Sequence, residues 1–167
     1  MIIGNGSIAK VLKDREDIIF FASGVSNSSC TDEKEYEREF NLLKTVPTEN
    51  HIVYFSNLGI YYKKDRYTQH KIDIEEYIRN NYKSYTIVRI EVCEWATTPN
   101  TILNAFKKQL SQGIEPTIQN TTRYVLSLSE FLHWISLIRP GIRNEMNILG
   151  RKLTIAQIVE EIKQGKL

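Results

Sequence analysis

The chain has 167 residues, with 22 basic against 20 acidic side chains and a net charge of +2. That near-balance leaves no electrostatic footprint for nucleic acid or an anionic membrane surface. Two cysteines and three scattered histidines rule out a disulfide scaffold and offer no metal-ligand spacing, and no apolar run reaches the roughly 18 residues that a membrane span requires.

A hydrophobic share of 41% suits a sizeable core, and residues 1–167 read as a single domain. Met1-Ile2-Ile3 predicts a very short strand. No basic stretch followed by a long apolar one opens the chain as in a signal peptide, so cytoplasm is the expected location. After Gly4-Asn5-Gly6, residues 7–14 predict a short helix with Ile8, Val11 and Leu12 on one face. The apolar run 17–22 predicts a strand covered on both faces. A loop over 23–31 precedes a charged helix, 32–45, with Tyr36, Phe40 and Leu43 as its stripe. The run 51–56 is the next buried strand. A long helix over 67–82 follows, with Asp65 as its N-cap, then a β-branched strand over 85–90. Residues 100–110 predict a helix burying Ile102, Leu103, Phe106 and Leu110. Residues 123–126 are extended. Ser127 and Glu130 form a capping box for a helix to Ile138. Residues 146–149 predict a last short strand, and Thr154 with Gln157 a second capping box for the C-terminal helix. The alternation points to an α/β fold with a parallel sheet.

Two motifs carry chemistry. Gly4-Asn5-Gly6-Ser7-Ile8-Ala9 is a GxGxxA run between strand and helix, where backbone amides can cradle a pyrophosphate; a plain turn is the alternative. Tyr67 and Lys71 stand one helical turn apart on the same face. A cation there lowers the phenol's pKa and suits it to acid–base work on an alcohol or ketone; a core-edge tyrosine above a solvated lysine is the alternative.

The order of the parts is more specific than either motif. The glycine turn is followed by a strand ending in Ala22-Ser23-Gly24, and then by Ser56-Asn57-Leu58-Gly59-Ile60-Tyr61. After these come Tyr67-xxx-Lys71, Glu75 and a strand ending at Arg89. An arginine-led segment at Arg123 and the run Asn147-Ile148-Leu149-Gly150 close the series. This succession resembles the extended short-chain dehydrogenase/reductases, the NAD-dependent epimerase/dehydratase family that modifies nucleotide sugars. The resemblance implies a Rossmann-like parallel sheet of about five strands, an NAD or NADP cofactor and a nucleotide-sugar substrate, with surface polysaccharide biosynthesis as the setting. By the same resemblance Tyr67 is the proton donor or acceptor, and Lys71 holds the nicotinamide ribose. Gly4, Asn5, Gly6, Ser7 and Ile8 hold the pyrophosphate, and Ala22, Ser23 and Gly24 line the cofactor groove. Arg123 meets the substrate diphosphate, unless it only forms a surface salt bridge.

The chain departs from the family in three ways. Asn57 stands where the family has its catalytic Ser or Thr, leaving Ser56 as the substitute and Asn57 as a substrate contact. The family's second and third strands are missing, and with them the acidic residue for the adenosine ribose. With those strands gone, right-handed crossovers put the helices on one face of the sheet. The other face is then bare and the first strand an open edge, so a second copy or another protein is expected to cover them. Loss of the cofactor, leaving an inactive binding or assembly module, is the alternative function.

Overall fold

The computed structural model describes residues 1–167. Its main sheet has five parallel strands in the order β1 (Ile2–Ile3), β2 (Ile18–Phe21), β3 (His51–Asn57), β4 (Tyr85–Ile90), β7 (Arg143–Asn147). The chain passes from β1 to its neighbour β2 through a single 3-10 turn, Ala9–Val11. No strand stands where the family places its second and third, as expected. The predicted helix over 7–14 shrinks to that one turn, yet Ile8, Val11 and Leu12 do share one face of the core.

Helices α1 (Glu33–Lys44) and α2 (Arg66–Asn81) cover one face of the sheet. Their Leu43, Ile74 and Ile78 pack on Ile19, Phe21, Ile52, Tyr54 and Ile87. Asp65 caps α2 as predicted and forms a full capping box with Thr68. The other face is not bare. Helix α4 (Leu128–Ser136) lays Phe131 and Ile135 on Phe20, Val53, Phe55 and Val88, so all residues of β2 and β4 are buried.

This overturns the expected one-sided arrangement and removes the reason for a partner over an open face. Strand β7 continues the sheet in the same direction and sense as its predecessors. Its approach through α4 runs over the opposite face, which gives the β4-to-β7 connection the opposite hand to the two before it. Strand β1 remains an edge, but at two residues it offers little to pair with.

Between β4 and β7, and after β7, the chain builds a second sheet that the sequence reading did not contain. Its strands are β5 (Val92–Cys93), β6 (Thr122–Leu126) and β8 (Arg151–Thr154), in that order, with β6 and β8 antiparallel. Helices α3 (Ile102–Ser111) and α5 (Ile155–Lys163) pack on it through Leu103, Ile155 and Ile158. Gly150 makes the passage from β7 to β8 possible. It has φ +66°, and a Cβ there would lie 2.4 Å from the Val125 carbonyl oxygen. Thr154 and Gln157 form the predicted capping box of α5, whereas in α4 only the Ser127 half forms, at 3.3 Å from the Glu130 N–H.

Because α4 seals a face of the main sheet, Phe131→Ala should cost about 3–5 kcal/mol. Urea denaturation measures that loss; a change near zero would mean that the helix is peripheral.

Candidate functional site

At the C-terminal ends of the main strands lies a cleft of about 600 Å³, closed on its far side by the small sheet and the start of α3. Ligands of open parallel sheets bind at such ends. Its walls come from the segments after β1, β2, β3 and β4 and from the head of α2. Of the residues expected at a site, Asn5, Gly6, Ser7, Ile8, Ala22, Ser23 and Gly24 line it. So do Ser56, Asn57, Tyr67, Lys71 and Arg123. Gly4 stands just behind the wall. Its φ is +129°, and a Cβ would sit 2.3 Å from the Ala22 carbonyl oxygen, so only glycine lets the turn press against the end of β2. Gly6 is the opposite case. A Cβ there would meet nothing within 4 Å, which leaves the backbone open to a ligand.

The loop after β5 holds this turn in place. Trp95 Nε1 donates to the Ser7 carbonyl at 3.2 Å, and the Thr97 N–H donates to Ser7 Oγ at 3.0 Å. The Trp95 ring also packs on Phe131, with centroids 4.9 Å apart.

Ser56 and Asn57 differ sharply. Asn57 Oδ1 accepts from the Gly59 N–H at 2.7 Å and caps the following 3-10 turn. Ser56 Oγ is buried with no hydrogen-bond partner in the protein. A buried hydroxyl without a partner is costly, and this one lines the cleft. Strand alternation puts Ser56 on the same face as Tyr54, the side of Lys71.

Lys71 is not solvated. Its ammonium donates to Glu39 Oε1 at 2.9 Å, to Glu39 Oε2 at 3.3 Å and to the Tyr54 hydroxyl at 3.0 Å. Glu39, on α1, is fully buried. It also accepts from the Val25 N–H at 2.7 Å, the Tyr54 hydroxyl at 2.9 Å and His70 Nε2 at 3.0 Å. Burial raises the Glu39 carboxyl pKa, but Lys71 and these donors outweigh it and hold the group well below the usual carboxylate range. The expected lowering of the Tyr67 phenol is reversed. Tyr67 is buried with Val25 and Tyr36, and burial with the Glu39 charge pushes its pKa above the ordinary tyrosine value. Sequence reasoning missed Glu39, although it falls on the buried side of α1, three residues after Tyr36 and four before Leu43.

Arg123 forms a salt bridge, sheltered and not on the open surface. It lines the cleft, and its Nε stands 3.5 Å from Glu91 Oε1. Arg38, also missed, reaches the cleft at Ser23, donating to its carbonyl and hydroxyl at 3.3 Å. Arg89 serves structure. It pairs with Glu75 through Nε at 2.8 Å and Nη2 at 2.6 Å, and with Glu145 of β7.

A nicotinamide dinucleotide fits these residues on one observation, the open space at Gly6. The turn amides and Arg38 would hold its phosphates.

No protein-family model matches the chain, and no curated protein sequence does. Solved structures do match. The Bordetella bronchiseptica enzyme WbmG in complex with NAD superposes with a TM-score of 0.65 at 14% identity, over 89% of this chain and 56% of that one. The fold is theirs. The dTDP-4-dehydrorhamnose reductase of Bacillus anthracis in complex with NADP gives 0.65 at 12%, over 89% and 62%. The capsular polysaccharide assembling protein CapF of Staphylococcus aureus gives 0.57 at 17%, over 96% and 46%. At the level of fold, the resemblance read from the sequence holds. The chain spans little more than half the length of WbmG.

The carboxylates predict an acid response. Arg79 and Arg89 hold the Glu145 carboxyl at about 2, below its ordinary 4.5. A depressed carboxylate adds stability above its unfolded pKa and loses it as pH falls through the folded one. The stability gap between the protein and Glu145→Gln should therefore be constant above about pH 4.5. It should close as pH falls toward about 2. Urea midpoints across that range measure it.

Proposed function

We propose that the protein binds NAD or NADP together with a nucleotide sugar in this cleft, and acts on the sugar as an epimerase or reductase in surface polysaccharide biosynthesis. One observation carries the reading: the glycine turn, the unpartnered Ser56 hydroxyl, Tyr67 and Lys71 all converge on one cleft. In this role Tyr67 exchanges the proton at the reacting oxygen. Ser56 donates a hydrogen bond to that oxygen, and Asn57 orders the wall beside it. Arg123, partly offset by Glu91, receives the substrate diphosphate. The cofactor when bound supplies hydride chemistry. Similar structures are in complex with NAD and UDP or with NADP, and one is a capsular polysaccharide assembling protein. These support the ligand class and the setting.

Tyr67→Phe should abolish turnover of a nucleotide sugar while leaving dinucleotide binding unchanged, as measured by equilibrium dialysis. Undiminished turnover would refute the assignment, and a protein that binds no dinucleotide would be an assembly module instead. Gly6→Val should leave the urea midpoint in place, since a Cβ meets no neighbour. It should weaken dinucleotide binding roughly tenfold or more by filling the approach to the turn.

A further inference from the structure

Strand order gives the cleft a direction. Read across the sheet, its walls are the turn after β1, residues 22–24 after β2, Ser56 and Asn57 after β3, and residues 91–93 after β4. From the turn a ligand can extend inward over these strand ends or outward past β1. Inward it meets a wall at every step, and Arg38 reaches Ser23 on that side. Outward this chain offers none. Residues 7–17, between the turn and β2, hold one 3-10 turn and no strand. Gly4, Asn5 and Gly6 are exposed on the edge, and so is Lys10. A dinucleotide-binding fold has a further strand on that side, with an acid to hold the second ribose. The acids available here are out of reach or taken. Asp14, Glu16 and Asp17 precede β2, at the opposite end of the sheet, where Asp14 pairs with the Met1 ammonium and Asp17 with Arg15. Glu91 is the one acid lining the cleft. It accepts from the Tyr62 hydroxyl at 2.6 Å and the Tyr124 N–H at 2.8 Å, and it faces Arg123. The cleft volume of about 600 Å³ falls within the range that encloses one drug-sized ligand, too little for a whole dinucleotide and a nucleotide sugar together.

We infer that the site recognises a nicotinamide nucleotide through its nicotinamide, the adjoining ribose and the phosphate at the turn, and leaves the adenosine half beyond the β1 edge in solvent. Nicotinamide mononucleotide is then a sufficient ligand. This rests on the nicotinamide reading proposed above and narrows it to half of the dinucleotide. The 2′-phosphate that distinguishes NADP from NAD is carried on the half left in solvent, so the site does not discriminate between the two.

Calorimetric titration of the full chain with reduced nicotinamide mononucleotide, NADH and NADPH tests this by binding alone. At about pH 8 the mononucleotide's phosphate monoester is close to doubly charged, so it matches the pyrophosphate in charge. The three dissociation constants should agree within about fivefold, because a single charge-assisted hydrogen bond to the adenosine half would separate them by roughly tenfold or more. NADH or NADPH binding tighter than the mononucleotide by more than that overturns the inference and leaves the proposed function standing. If none of the three binds, both fall. Saturation-transfer NMR of the NADH complex gives a second readout. The nicotinamide protons should receive most of the transfer, and equal transfer to the adenine protons is an overturning result.

Discussion

A buried carboxylate with four kinds of donor around it is the constraint on which this cleft depends. Removing a charge from water costs several kcal/mol per ion, and only saturated, well-aligned partners offset it. For Glu39 those partners come from three places: the loop after β2 through Val25, β3 through Tyr54, and α2 through two successive residues, His70 and Lys71. A shift of any one element leaves a buried charge short of a partner. The hydrophobic clusters on the two faces drive the packing, but they tolerate small slips. The ion pair does not, and it lies where the ends of β2 and β3 meet the head of α2.

A second polar network does the same for the other edge. Arg89 of β4 and Arg79 of α2 hold Glu75 and Glu145 between them. Since Glu145 is on β7, whose side chains are largely exposed, charge more than apolar area fixes that strand beside β4. The two networks share α2, which presents Lys71 and Glu75 one turn apart. One helix therefore sets both the cleft and the far side of the sheet.

Much of this was legible in the residues. Strand β2 is a continuous apolar run, β3 is built on one and β4 is β-branched, and their bounds were read within a residue. The convergence of the glycine turn with Tyr67 and Lys71 was implied by the order of motifs. What failed had physical causes. Strand β8 is Arg-Lys-Leu-Thr with only Leu153 buried, so it carries no periodic signal, and β5 is two residues long. The bare face was inferred from topology against the evidence of the strands themselves. An Ile-Ile-Phe-Phe run demands cover on both sides, and α4 supplies it. Glu39 was hidden because a charged residue on a charged helix reads as solvated until its register is checked.

The crossover that carries α4 over the second face also governs how the sheet is completed. Strands β2, β3 and β4 join through connections of a few tens of residues, whereas residues 91–142 separate β4 from β7. Doubling a loop adds only about 0.6 kcal/mol of closure entropy, so the long excursion is cheap at equilibrium. Its effect is on folding rate. Folding slows as contacts become more distant in sequence, and the β4–β7 pairing, across residues 91–142, is the most distant of the main sheet.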